Sequence, residues 1–231
     1  MATLLCIHGS GHTADSFKPQ TDALPSCRAL VLPGHPHGEA LSSVAAYTEW
    51  LEVVCKLPES TRPVIAGNSL GGAIAMAYAL SRPERVGGLI LIGTGARLKV
   101  SAAILTMLVQ EWPQCIDTLV DYSLAPQADA ALRGRIKSWH EAVGQESTRR
   151  DYEACDKFDI MEEVAHIRVP TLIIVGGDDR MTPPKYARFL AARIPNAQLE
   201  VVEAAGHMPH AERPETVNRL INGFVGQIEA A

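Results

Sequence analysis

Short unbroken runs of apolar residues alternate along this chain with longer stretches in which apolar residues recur every three or four positions. The short runs Thr3–Ile7, Arg28–Leu32, Pro63–Ala66, Gly88–Ile92, Thr171–Val175 and Gln198–Val202 predict six strands. Their apolarity is continuous rather than alternating, as in strands buried on both faces, so a parallel sheet between helical layers is expected. Ser42 or Ser43 is placed to cap a helix over "VAAYTEWLEVVCKL". Thr182 is placed to cap one begun by Pro183, in which Tyr186, Phe189, Leu190 and Ile194 recur at helical spacing. Pro214 opens a last helix with Val217, Leu220, Ile221, Phe224 and Val225 on one stripe.

One stretch breaks the alternation. From Gly95 to Ile167 the period is helical throughout, punctuated by Pro113, Pro126 and Gly144. So long a helical interval between two strands reads as an insertion over one end of the sheet rather than a crossover. The expected division is an α/β core from residues 1–95 and 167–231 and a helical cap from residues 96–166. Of the large apolar side chains in the cap (Ile104, Leu105, Met107, Leu108, Trp112, Trp139), most should bury one another and a few should roof a cavity.

Composition narrows the function. The chain has 231 residues, 47% of them hydrophobic, enough for one α/β domain with an insertion. A net charge of -5 without any block of basic residues argues against nucleic acid or an anionic membrane as partner. No apolar run is long enough to span a bilayer, and "MATLLCIHGSG" has neither the basic start nor the length of a signal peptide. The five cysteines are scattered, with no C-x-x-C, and read as reduced apolar residues of a cytoplasmic protein.

Candidate chemistry begins at "IAGNSLGGAIAMAYAL", where Ser69 stands between glycines at a strand-to-helix junction. One reading is a tight turn with Ser69 as helix N-cap. The other is a nucleophile elbow, in which a strained serine projects above the sheet and its neighbours must be small. A serine hydroxyl needs a base. An acid and a histidine do follow the fifth and sixth predicted strands, in "GGDDRMTPP" and "EAAGHMPHAERP". Strand ends of a parallel sheet open at one edge, so Ser69, Asp179 and His207 can converge there, in the order serine, acid, histidine. "HGSG" after the first strand can present the Ser10 N–H beside that of Leu70, giving two donors for a tetrahedral oxyanion.

Together "HGSG", "LPGH", "GNSLGG", "GGDDRMTPP" and "GHMPHAERP" resemble the α/β-hydrolase superfamily, particularly its small carboxylesterases with a helical cap. The resemblance covers nearly the whole chain. It implies serine acylation without metal or organic cofactor, acting on a small-molecule ester. It favours Asp179 over Asp178 through the spacing Gly176-x-x-Asp179-x-x-x-Pro183, and His207 over His210 through the preceding Gly206. Family members usually carry two strands before the one ending in His-Gly. Here Met1 lies almost inside that strand, so a shortened, all-parallel sheet of six strands is expected, with Arg28–Leu32 at one edge. Asn68 occupies a position where histidine is commoner.

The remaining histidines read as structural. His12, His35 and His37 lack the ligand number and flanking carboxylates of a zinc site, and His8 is expected to support the oxyanion loop. "RGRIK", Arg133 to Lys137, reads as a solvated helix face. Ester hydrolysis leads. Carbon–carbon bond hydrolysis of the meta-cleavage type is the nearest rival, since those enzymes often carry Asn before the serine, although they tend to have Trp soon after the histidine. Lactonase or acyltransferase chemistry uses the same machinery, and a ligand receptor on the same scaffold is the rival outside catalysis.

Overall fold

The computed structural model describes residues 2–55, 58 and 61–230. Six strands form one sheet: β1 (Leu4–Ile7), β2 (Cys27–Leu30), β3 (Val64–Asn68), β4 (Gly88–Ile92), β5 (Thr171–Gly176) and β6 (Ala197–Val202). Their order is β2-β1-β3-β4-β5-β6 and every pairing is parallel, with β2 at one edge as expected.

Most strand ends fall within one residue of the apolar runs; two differ by two residues, and the backbone says why. β3 continues two residues past Ala66 because Gly67 and Asn68 pair with Leu91 and Ile92 of β4. β2 stops at Leu30, since Val31 is exposed and the Leu32 N–H donates to His8 Nε2 (3.3 Å) instead of to a strand.

Alternate residues of each strand feed two cores. Leu5, Ile7, Ile65, Leu89, Leu91 and Ile173 pack under α2 (Val44–Val54), α3 (Leu70–Ser81) and α8 (Pro184–Arg193). Leu4, Cys6, Val64, Ile90 and Ile174 pack on the other face under Phe17 and under Val217, Ile221 and Phe224 of α10 (Pro214–Glu229). Burial on both sides is why β1, β3, β4 and β5 read as apolar runs, whereas the edge strands β2 and β6 keep exposed residues. α3 lies between the sheet and α2 and is apolar all round.

Ser43 caps α2, its Oγ accepting the Ala46 N–H (3.1 Å). The last two residues of that expected helix, Lys56 and Leu57, lie outside the described residues. The expected Thr182 cap is not formed. α8 begins at Pro184 with Pro183 at its N-cap, and the Thr182 hydroxyl is engaged elsewhere.

Between β4 and β5 run α4 (Ala102–Gln110), α5 (Trp112–Ser123), α6 (Ala130–Val143) and α7 (Gln145–Asp156). Leu105, Leu108 and Trp112 pack with Cys115, Leu119 and Tyr152, while Trp139 joins Ile116, Val120, Ile136 and Met208. The short helices α1 (Lys18–Ala23) and α9 (Pro209–Glu212) complete the fold. Among the described residues, no helix is long and apolar enough to cross a membrane.

Several histidines are buried neutral. Burial drives His8 and His210 from the ordinary 6.5 to about 3, with the charge of His35 adding for His8 and that of His207 for His210. Burial likewise takes His140 to about 4, while the carboxylate of Asp151 works the other way. A histidine with a lowered folded pKa leaves stability intact above 6.5, because neither folded nor unfolded chain binds the proton there. Below 6.5 the unfolded chain takes up protons that the folded chain refuses. Stability is therefore predicted to fall steeply between pH 6.5 and 4, each such histidine contributing up to about 1.4 kcal/mol per pH unit. His210 stacks on Phe17 (4.5 Å between centroids), and neither of its ring nitrogens has a hydrogen-bond partner among the described residues. His210→Phe should make the decline of melting temperature shallower; an unchanged slope would contradict this.

Candidate active site

The turn from β3 into α3 places Ser69. Its backbone sits at φ 54°, ψ −115°, outside the regions favoured by L-residues. The Ser69 N–H donates to the Ile92 carbonyl (3.0 Å), and the Thr94 hydroxyl donates to the Ser69 carbonyl (2.9 Å). Ser69 stands at the N-cap position of α3 but makes no side-chain capping bond. The plain helix-cap reading fails on that point.

The small flanks have a steric cause. A Cβ on Gly67 would run into the backbone of Gly71 and Gly72, and one on Gly71 into the carbonyl of Ile7 in β1. The helix thus presses directly against its neighbouring strands, leaving the Ser69 side chain facing the cavity.

Two loops beyond β5 and β6 bring an acid and an imidazole to this edge. Asp179 is buried and accepts the N–H groups of Met181 and Thr182 (both 2.9 Å) and the Thr182 hydroxyl (2.9 Å). His207 Nδ1 lies 3.0 Å from Asp179 Oδ2 and 3.2 Å from Oδ1. The carboxylate only accepts, so Nδ1 carries the hydrogen of this bond. Asp178 is exposed and its carboxylate is met by Gln127 (3.4 Å), and His210 is stacked on Phe17, so the competing acid and base are elsewhere.

Asn68 ties the elbow to the histidine loop. Its amide donates to the carbonyls of Ile92 (3.2 Å) and His207 (3.1 Å). Among the described residues no hydrogen bond joins the Ser69 hydroxyl to His207. Nor does an acceptor take the Ser10 N–H. Leu70 is the first residue of α3, so its N–H belongs to the helix's free N-terminal donors. Ser10 itself is buried, in the loop after β1.

Two contributors carried no clear signal in the sequence. Thr182 was read as a helix cap, yet its hydroxyl braces Asp179 and lies 3.2 Å from His207 Nδ1. Glu212, in α9, accepts N–H groups from Ala125 (2.9 Å), Gly206 (2.8 Å) and Met208 (3.3 Å), while burial raises its carboxyl above the ordinary range. An acid five residues after His207 was the only available hint.

Beside Ser69 opens a cavity of about 420 Å³ whose walls include Val100, Ile104, Met107, Leu119, Tyr152 and Met181. Arg97, Lys99 and Arg180 stand exposed on its lining, each near a surface carboxylate (Asp159, Asp156 and Asp121). Among the described residues, no group of His, Cys, Asp and Glu side chains is placed to hold a metal ion.

A strained serine between parallel strand and helix, facing a cavity beside a histidine–aspartate pair, defines the architecture of an α/β hydrolase. The chain belongs to the alpha/beta hydrolase family, whose sequence model matches residues 4–220. It is 26% identical over 238 residues to a pimeloyl-[acyl-carrier protein] methyl ester esterase of Neisseria meningitidis, covering 95% of this chain and 91% of that one. It is also 26% identical to a 2-hydroxy-6-oxononadienedioate/2-hydroxy-6-oxononatrienedioate hydrolase of Cupriavidus pinatubonensis, covering 97% and 86%. Among solved structures a thermophilic esterase superposes with a TM-score of 0.89 at 30% identity, over 99% of this chain and 91% of that one. The relatives are hydrolases and esterases.

The packing at the elbow predicts a contrast between two glycines. Gly71→Ala should destabilise by more than about 2 kcal/mol in urea unfolding, because the methyl meets a strand carbonyl that cannot move aside. Gly134→Ala, on an open face of α6 with nothing within 4 Å, should stabilise by roughly 0.5–1 kcal/mol. Equal effects at the two positions would refute the steric reading.

Proposed function

We propose that this chain is a serine hydrolase that cleaves carboxylic esters of small to medium size through an acyl-enzyme. The observation that carries the reading is the His207–Asp179 pair (3.0 Å), joined through the neighbouring Asn68 (3.1 Å to the His207 carbonyl) to a positive-φ serine that lines the cavity. Ser69 Oγ attacks the ester carbonyl while His207 Nε2 takes its proton. Asp179 keeps the imidazole in the tautomer with the hydrogen on Nδ1 and stabilises the imidazolium that forms. The N–H groups of Ser10 and Leu70 receive the oxyanion. His207 then hands the proton to the departing alcohol. A water deprotonated by His207 releases the acid and restores Ser69. The Ser69–His207 bond forms as substrate enters, since catalytic hydrogen bonds are often long before the complex is made.

In this reading residues 96–166 act as a cap over the acyl or alcohol pocket. The apolar walls favour a neutral chain, and the cations Arg97, Lys99 and Arg180, with no carboxylate among the described lining residues, disfavour a positively charged one.

A second reading, carbon–carbon hydrolysis of a vinylogous diketone, draws support from Asn68 and from the meta-cleavage relative at 26% identity. Met208 in place of the family's Trp after the histidine weighs against it.

Wild-type protein should turn over p-nitrophenyl acetate and butyrate many times per chain. Ser69→Ala should lose at least about a thousandfold in kcat with its melting temperature nearly unchanged, as expected for removal of a nucleophile. A single turnover, or full activity in Ser69→Ala, would exclude the reading; faster cleavage of a vinylogous diketone than of any ester would favour the second. A choline-type ester should be cleaved several-fold more slowly than its uncharged isostere at low salt, and the gap should narrow as ionic strength rises. A preference for the cationic ester would contradict the assignment of the cavity lining.

A further inference from the structure

Asp151 lies on α7, wholly buried and outside the cavity lining, and its carboxylate gathers three donors from distant parts of the chain. Oδ2 accepts the Gly11 N–H (2.9 Å) and His35 Nε2–H (2.7 Å), and Oδ1 accepts the Tyr47 hydroxyl (2.8 Å). Gly11 belongs to the loop after β1, His35 to the loop after β2 and Tyr47 to α2.

His35 also donates from Nδ1 to the Pro33 carbonyl (2.9 Å). Both of its partners are acceptors, so both ring nitrogens carry hydrogen and the ring is an imidazolium. Burial opposes that charge, but the Asp151 carboxylate overcomes it and raises the His35 pKa. The result is a buried ion pair whose carboxylate accepts three hydrogen bonds, and such added bonds are what let a buried pair persist.

The geometry of the loop shows what this pair holds. The Ser10 N–H and the Gly9 carbonyl belong to one planar peptide. His8 Nδ1 donates to that carbonyl (2.9 Å), and so does the His12 N–H (3.3 Å). The next peptide begins at Ser10 and ends in the Gly11 N–H that Asp151 takes. Gly11 is at φ +65°, and a Cβ there would strike His140 and Thr148, so this residue has no other place to go. One turn along α7 from Asp151, Cys155 Sγ meets Ser10 Oγ at 3.5 Å. The peptides on both sides of Ser10 are therefore clamped, one from the core and one from α7.

We propose that Asp151, charged and paired with His35, is a positioning residue that aims the Ser10 N–H at the oxyanion, coupling α7 of the cap to the reacting centre. The proposal rests on the serine-hydrolase reading above. Asp151 touches no substrate; it acts through Gly11. Its signature is a loss confined to states that carry the oxyanion.

The test compares wild type with Asp151→Asn, His35→Gln and Ile221→Ala, the last a core variant on the buried face of α10 that reports what lost stability alone does. Each is assayed with p-nitrophenyl butyrate and inhibited with a trifluoromethyl ketone, which adds Ser69 Oγ to form an oxyanion, and with the matching methyl ketone, which does not. Asp151→Asn should lower kcat about 10- to 100-fold, less than complete loss of a donor, with KM changed under about threefold. Affinity for the trifluoromethyl ketone should fall by the same factor while that for the methyl ketone stays put. His35→Gln should show the same parallel at a smaller scale, and it carries the test if Asp151→Asn does not fold. Ile221→Ala should keep kcat despite a lower melting temperature. Loss of melting temperature in Asp151→Asn or His35→Gln with kcat and trifluoromethyl ketone affinity intact would overturn the proposal, as would equal weakening of both ketones. Retained turnover in Ser69→Ala would instead remove the reading beneath it, and the proposal with it.

Discussion

The contact on which the site depends is the approach of α3 to β1, where Gly71 leaves no room for a methyl beside the Ile7 carbonyl. That approach forces β3 to pass into α3 within one residue, and Ser69 absorbs the bend at φ 54°. Strain of this kind persists only where its surroundings over-determine it. Here Ile92 and Thr94 hold Ser69 by its backbone N–H and carbonyl, and Asn68 is bound to Ile92 and His207. A serine so held has a side chain with nowhere to point but the cavity, and stands at the electropositive end of a helix.

Around it, buried and half-buried carboxylates fix the loops that strand order alone would leave loose. Asp179 collects the turn after β5 and turns His207, Asp151 collects the loops after β1 and β2, and Glu212 ties the Gly206–Met208 segment to Ala125 at the end of α5. Each takes backbone N–H groups, so each fixes main chain rather than only side chains. Two of them, Asp151 and Glu212, join the helices between β4 and β5 to the sheet side. Helices that line the cavity are thereby linked to the loops that carry the proposed chemistry.

Much of this was legible in the sequence, because sheet burial and the elbow are local constraints. The apolar runs placed all six strands, most plainly β1, β3, β4 and β5, which are buried on both faces, and the glycines at 67 and 71 announced a close approach. Asp179 and His207 could be placed because they follow directly on predicted strands. What could not be read depends on distant partners. Asp151 sits in "RRDYEAC", on a helix whose pattern gives no hint that His35 and Tyr47 lie against it. His35 read as one more polar loop residue because its buried partner is 116 positions away in sequence. Thr182 fitted a helix cap by local rules, but its hydroxyl donates to Asp179 three residues away.

The most direct test is covalent labelling by a p-nitrophenyl alkylphosphonate ester, in which the attacking oxygen bonds to phosphorus as p-nitrophenolate leaves. The expected result is one adduct per chain, mapped by mass spectrometry to Ser69, forming orders of magnitude more slowly in His207→Ala and accompanied by complete loss of esterase turnover. An adduct on any other residue, or full turnover in protein whose Ser69 is quantitatively labelled, would contradict it.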